Sequence, residues 1–278
     1  MISVVVPAWN AAGVLPGLLG ALAAQTADHE LIVVDAGSAD RTAALAEEAG
    51  ARVVTAPRRN RSVARNLGVG AARGELIAFT DADCVPVPGW IEALETCLES
   101  SPLVSGPVRI ETGPQPNMAE RFDRLWRYPQ ERYAEAGVGT SANLGIRRDA
   151  FEAAGGYDPR FHHGEDTDLC LRAGDAGLRL AWCPAAEVAH PAAARLRDVA
   201  RRGFEHGASA RRLARAYPGR AGRRYWTAPG GLVRRGAALR ALSVEPVDDR
   251  GVDLAARIDY GARMAGSLWA EVARRAVR

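Results

Sequence analysis

Apolar residues follow two rhythms along this chain. Short runs rich in apolar residues at 2–6, 30–34, 52–55 and 76–79 predict buried strands. Between them, apolar residues recur every three or four positions and predict helices over 14–24, 41–49, 62–72 and 89–99. Such alternation implies an α/β fold with a mostly parallel sheet and helices on both faces. Ser38-Ala-Asp40 stands where a helix cap belongs, and Gly50 and Gly74 stand where the second and third helices should stop. The rhythm changes after 103–110. A loop at Gly113-Pro-Gln-Pro116 precedes an aromatic-rich helical stretch over 118–136, broken or kinked at Pro129. A strand over 140–147, a turn cluster at Gly155-Gly-Tyr-Asp-Pro159, a helix over 166–176 and strands near 178–182 and 187–189 follow. From 196 the pattern is helical to 217, with further helices near 232–242 and 252–277. The organisation is one α/β domain to about residue 215, then a helical extension over 216–278.

Composition narrows the class. The 278 residues suffice to bury a large core, and no run of about 18 apolar residues predicts a membrane span. The first strand begins at once, with no basic stretch before it, which argues against a signal peptide and for a cytoplasmic protein. Cys84, Cys97, Cys170 and Cys183 show no CxxC or Cys/His metal spacing and read as free thiols in a reducing compartment. All 36 basic residues are Arg, and they are unevenly spread. Residues 191–278 hold 19 Arg against 8 acids, whereas residues 1–190 are net acidic. That basic segment suits an anionic lipid, nucleic acid or phosphorylated substrate, or it is a set of solvated helix faces.

The candidate chemistry gathers at strand ends. Glu75-Leu-Ile-Ala-Phe-Thr-Asp81-Ala-Asp83 is a strand that stops at two carboxylates one residue apart. Carboxylates at the carboxyl edge of an open α/β sheet suit a hard divalent cation, Mg²⁺ or Mn²⁺, although acid pairs also close strands as plain turns. Pro7, Trp9 and Asn10 follow the first strand, offering a rigid turn, a flat ring and an amide that could flank a nucleobase. Asp35 and Gly37 follow the second, where a carboxylate can accept from a base N–H and a glycine admits close approach. Arg58, Arg59, Arg61 and Arg65 supply guanidiniums, the fork that phosphate prefers. Glu165 and Asp166 open a helix, either complementing its dipole or serving as a proton acceptor. His190 follows a late strand as a metal ligand or a core histidine.

In order, these segments resemble the inverting family-2 glycosyltransferases of the GT-A fold. They are Val4-Val-Val-Pro-Ala-Trp-Asn10, Val33-Val-Asp-Ala-Gly-Ser-Ala-Asp40 and Ala64-Arg-Asn-Leu-Gly68. Phe79-Thr-Asp-Ala-Asp83, Gly155-Gly-Tyr-Asp-Pro-Arg-Phe161 and Gly164-Glu-Asp-Thr-Asp-Leu-Cys-Leu-Arg172 complete the set, within residues 1–215. The resemblance implies a nucleotide-binding half over 1–110 and an acceptor-binding half over 111–215. Pro7, Trp9, Asn10, Asp35 and Gly37 would hold the base. Arg65 would contact the diphosphate or lock the base. Asp81 and Ala82 would face the ribose or sugar, and Asn143 would help choose the sugar. Asp83 would hold the metal, joined by His190. Asp166 would be the general base, Glu165 would bind acceptor or donor, and Asp168 and Arg172 would tie their helix down.

A nucleotide-sugar donor is implied, UDP-linked by mild preference, with a glycan, a lipid-linked glycan or a small molecule as acceptor. The Gln-x-x-Arg-Trp motif of processive members is missing, and Arg201-Arg-Gly-Phe-Glu-His-Gly207 does not match it, so a single transfer is expected. Peripheral contact with a membrane through the Arg-rich extension fits a lipid-linked acceptor. Two other readings stand beside this one: a non-catalytic binding module on the same fold, and a sugar nucleotidylyltransferase. The second lacks its usual Gly-rich basic loop in Val6-Pro-Ala-Trp-Asn-Ala-Ala-Gly13. Nucleic acid is not expected, because the Arg-rich tail has few interleaved aromatics.

Overall fold

The computed structural model describes residues 1–126, 130–218, 258, 259, 261–263 and 265. The chain divides into two compact units, Met1–Arg109 with Tyr128–His190, and Ile110–Arg127 with Pro191–Arg278.

Among the described residues, the first unit is built on a seven-stranded sheet. Its strands are β1 (Ile2–Ala8), β2 (His29–Asp35), β3 (Arg52–Thr55), β4 (Leu76–Thr80), β6 (Leu103–Ser105), β8 (Asn143–Arg147) and β9 (Leu180–Trp182). Their order is β3-β2-β1-β4-β8-β6-β9. The pairs β1–β2, β2–β3, β1–β4 and β6–β9 are parallel, whereas β8 runs antiparallel to both β4 and β6. A mostly parallel sheet was expected; the reversal of β8 is set by tertiary pairing, which apolar runs do not encode. Ile2, Val4, Val5, Val6, Ile32, Val33 and Val34 are fully buried, as strands covered on both faces require.

The connecting helices are α1 (Leu15–Ala23), α2 (Thr42–Glu48), α3 (Arg61–Ala71), α4 (Trp90–Ser100), α6 (Gln130–Glu135), α7 (Arg148–Ala153) and α8 (Glu165–Asp175), and all but α7 follow the predicted rhythm. Asn60 caps α3, its side chain accepting from Val63 N. Helix α7 and the short strand β5 (Val85–Pro86) were not foreseen. The apolar run 103–110 holds two strands. It divides into β6 and β7 (Val108–Glu111), with Gly106 between them. A Cβ on Gly106 would meet Ala186 O at 2.0 Å, so the chain turns there because only glycine fits. Strands β5, β10 (Val188–Pro191) and β7 form a small separate sheet.

Gly50 has a φ of +79 and ends α2 as expected, but Gly74 is not a helix stop. A Cβ there would lie 2.6 Å from Met1 O and from Ser3 Oγ, so its role is close packing against β1. Beside it, Glu30 accepts from Ser3 Oγ, Arg73 N and Gly74 N. Burial works against that carboxylate, but these hydrogen bonds outweigh it and hold its pKa down at about 2. A depressed folded pKa gives stability that is present above the ordinary value of 4.5 and lost as pH falls toward 2. Glu30→Gln should therefore cost about 2 kcal/mol at pH 7 and much less at pH 2, measured by urea unfolding at both pH values.

The cysteine reading needs correction. Cys97 of α4 and Cys183, just after β9, form a disulfide; Cys84 and Cys170 are free and buried. A pair separated by 86 residues carries no spacing signal, and only the sheet brings it together. Disulfides form in oxidising surroundings.

In the second unit, α5 (Met118–Trp126) packs on α9 (Leu196–Ala216) through Ala119, Phe122 and Val199. Asp123 accepts from Arg202 at 2.5 Å and from Ala193 N at 2.7 Å. Gly207 of α9 is closely approached by Arg263, whose own side chain bonds Asp259 at 2.6 Å. Pro129 and the helix expected over 232–242 lie outside the described residues. Of the helix expected over 252–277, residues 258, 259, 261–263 and 265 are described, and they are helical. Among the described residues no helix is long and apolar enough to cross a membrane.

Candidate active site

The carboxyl ends of β1, β2 and β4 carry the first set of candidate residues. Ala8 pairs with Asp35 in the parallel register, so Trp9 and Asn10 leave the sheet beside Asp35. Asn10 has a φ of +48, a left-handed conformation that asparagine tolerates better than most residues. Two bonds hold it there: Asn10 N donates to Ser38 Oγ, and Ala39 N donates to Asn10 Oδ1, each at 2.8 Å. Ser38 in turn donates from Oγ and N to Asp35. Ala11 N to Thr42 Oγ1 and Ala12 N to Asp40 Oδ2 extend the lacing. The two loops thus form one surface, with Gly37 in a left-handed turn and the Trp9 ring at its exposed rim.

The end of β4 is organised by Arg65. This side chain is 2% exposed and donates to Glu165 Oε1 at 2.7 Å and to Asp81 Oδ1 at 2.9 Å. The Tyr157 ring lies 5.4 Å from its guanidinium, and its Nε is buried without an acceptor among the described residues. Burial would raise the Asp81 pKa, but the charges of Arg65, then Arg61, then His190 lower it and keep the carboxylate ionised. Expected to contact the diphosphate or lock the base, Arg65 has its two terminal nitrogens bonded to carboxylates inside the protein. Arg61, one turn earlier on α3, is exposed and charged beside Asp81.

Asp83 is half-buried, and its Oδ1 lies 3.5 Å from His190 Nε2. Strand β5 causes this meeting: Val85 pairs with Ala189 and Pro86 with Val188, which carries His190 to the residue preceding β5. The Cys84 thiol completes a cluster whose possible ligand atoms lie within 4.8 Å of one another. Burial, then the charges of Asp81 and Asp83, push that thiol's pKa well up, so it stays protonated. A carboxylate oxygen and an imidazole nitrogen remain, a donor pair that suits Mn²⁺ and leaves its other positions to further oxygens.

Glu165 and Asp166 begin α8 after Gly164, which is left-handed. Glu165 is buried on Arg65. Asp166 is half-buried; Ser141 N approaches its Oδ2 at 3.4 Å, and Thr167 N donates to its Oδ1 at 2.7 Å. Burial first, and then the neighbouring Glu165 charge, push the Asp166 pKa up to about 6. Ser141 also bonds the buried Tyr157 hydroxyl at 2.8 Å. Asp168 and Arg172 are joined at 2.6 Å, the expected ion pair.

Asn143 calls for another correction. Expected near the donor sugar, it is fully buried at the start of β8. Its Oδ1 accepts from Trp90 Nε1 at 3.0 Å, and its Nδ2 donates to Pro107 O and Ala186 O. Those contacts use its amide inside the protein, so it supports the segment leading to His190. Trp90, Tyr157 and Cys84 were not singled out for the site. Tyr157 was within reach, since it stands in the quoted Gly-Gly-Tyr-Asp-Pro segment; the others depend on pairings remote in sequence.

The sequence model of "Glycosyl transferase family 2" matches residues 3–155. The chain is 33% identical over 221 residues to the "Pre-mycofactocin glycosyltransferase" of Mycobacterium tuberculosis, covering 74% of this chain and 45% of that protein. It thus spans about half the length of that curated relative. "Glycosyltransferase AglE" of Haloferax volcanii is 29% identical over 203 residues, 69% of this chain and 67% of that protein. The mannosyltransferase PcManGT from Pyrobaculum calidifontis, in complex with GDP-Man and Mn²⁺, superposes with a TM-score of 0.65 at 17% identity. That match covers 97% of this chain and 86% of the other. S. aureus TarS 1-349 in complex with UDP-GlcNAc gives 0.58 at 15% identity, over 99% and 92%. These two likenesses show the GT-A fold.

Proposed function

Because the chain belongs to glycosyl transferase family 2, we propose that it moves a single sugar from a nucleotide-sugar donor to an acceptor hydroxyl, inverting the anomeric carbon. One observation carries the reading. The buried Arg65 guanidinium holds Glu165, the neighbour of Asp166, and Asp81, the near neighbour of Asp83. The neighbour of the carboxylate suited to take a proton and the near neighbour of the carboxylate suited to a cation are therefore tied to one charge.

On this reading Pro7, Trp9, Asn10, Asp35 and Gly37 hold the base, and Asp81 and Ala82 lie along the ribose and sugar. Asp35 can accept from the N3–H of uracil, which mildly favours a UDP-sugar; guanine offers a similar donor. Asp83 and His190 would hold Mn²⁺ or Mg²⁺. When bound, such an ion neutralises charge gathering on the departing nucleoside diphosphate. Asp166 takes the proton from the acceptor hydroxyl as that oxygen attacks the anomeric carbon in line. Glu165 keeps Asp166 basic by its charge and stays paired with Arg65. Nucleotide belongs with residues 1–110 and acceptor with residues 111–215. The acceptor is a glycan, a lipid-linked glycan or a small molecule, and the Arg-rich residues 216–278 would meet an anionic membrane surface.

The compartment follows from Cys97 and Cys183. A bridge intact in cells places the chain in an oxidising compartment, and free thiols keep the cytoplasmic expectation. For the metal role, Asp83→Ala should lower turnover of the accepted nucleotide-sugar by at least about 100-fold, and EDTA should do the same to the unaltered chain, reversibly with Mn²⁺. A thermal-shift screen of nucleoside diphosphates and nucleotide-sugars, with and without Mn²⁺, identifies the donor for this assay. Full turnover in both the variant and the chelated protein would remove the metal from the reading.

A further inference from the structure

The guanidinium of Arg59 lies over the Trp9 ring, 3.5 Å from its centroid. Arg59 is exposed, and among the described residues it makes no hydrogen bond or ion pair. An exposed arginine ordinarily keeps its head in water. Here it rests on an indole, where the ring's electron-rich face attracts a cation. With that cation in place Trp9 remains 41% exposed, so much of the ring is still open. The arm has a fixed root. Asn60, the next residue, is buried, caps α3 and donates from Nδ2 to Pro159 O at 3.0 Å.

We infer that Arg59 is a positioning residue for the donor's nucleobase: it braces Trp9 on one side so that the open part of the indole stacks the base beside Asp35. This rests on the donor reading above. A side chain with two free torsions is held in one orientation before ligand arrives, and less ordering entropy is lost on binding. Arg59 touches neither phosphate nor reacting atoms in this arrangement. Its effect must be the same whether or not the ligand carries phosphates.

The test is calorimetric titration of the full chain, unaltered and as Arg59→Ala, with uridine, UDP, guanosine and GDP in the absence of divalent ions. The base that binds should be held about three- to tenfold more weakly by the variant, by the same factor for nucleoside and diphosphate. Arg59→Lys, which keeps a cation able to sit on the ring, should recover most of that loss. In turnover assays Arg59→Ala should raise KM for the donor and leave kcat unchanged. A loss confined to UDP or GDP would make Arg59 a phosphate contact and overturn the brace. Unchanged or tighter nucleoside binding by the variant would also overturn it, leaving the donor reading intact. Failure of the unaltered chain to bind any of the four probes would overturn both.

Discussion

Replacing Asp166 by Asn should lower sugar transfer about 1,000-fold while nucleoside diphosphate affinity stays within twofold of the unaltered chain. Asn keeps the shape and one of the two hydrogen bonds from Ser141 N and Thr167 N, since its amide has a single accepting oxygen, and it cannot take a proton. The same change should strengthen the fold at neutral pH. The Asp166 pKa is raised from 3.8 to about 6 by burial and by Glu165, so its ionised form is disfavoured in the native state. A raised carboxylate pKa means stability is lost as pH rises from the unfolded value to the folded one, and the full cost is present above 6. Removing the charge should therefore add about 1–2 kcal/mol at pH 7 and little at pH 4, read by urea unfolding. In the unaltered enzyme kcat should fall tenfold per pH unit below about 6. A variant that retains turnover, or an acid limb near pH 4, would reassign the base.

Arg65→Met should cost about 3–5 kcal/mol of stability, the penalty for leaving buried charges without their partner. Glu165 and Asp81 would both be left facing each other's field with no cation between them. Arg65→Lys should recover only part, because one ammonium cannot span two carboxylates as the planar fork does. Since the Arg65 charge lowers the Asp166 pKa, its removal should also move the acid limb of kcat upward from about 6. Urea unfolding and pH–rate profiles on the same samples separate the two effects. A loss under 1 kcal/mol would show that Arg65 does not hold the carboxylates together.

Periodicity and strand-end chemistry made much of this molecule legible before its fold was known. The runs at 2–6, 30–34 and 76–79 are β1, β2 and β4, each extended by a residue or two at its ends. Boundaries held there because those strands are buried on both faces and bounded by helices with clear stops. The division of residues 103–110 was not legible because apolarity continues on both sides of Gly106, where a steric demand from Ala186 O divides the run. Asn143 misled for a related reason. A polar residue at a strand start looks available, yet Trp90, Pro107 and Ala186, all distant in sequence, consume its amide. Arg65 stood in a motif, and the motif was silent about depth. Cys97 and Cys183 could not be paired without the sheet order that brings β9 and α4 together.

The order β3-β2-β1-β4 reverses the direction of strand addition between β1 and β4. On the proposed reading, the loops after β1 and β2 handle the base, while the loop after β4 handles charge. A donor would then be recognised as two fragments joined through its ribose, each with a local free energy, and the covalent link would make their combined affinity far exceed either alone. Drift at Trp9, Asn10 or Asp35 could exchange one base for another without disturbing the anionic grip. Lineages built on this scaffold have a route to new activated sugars through one loop pair while the other stays constant.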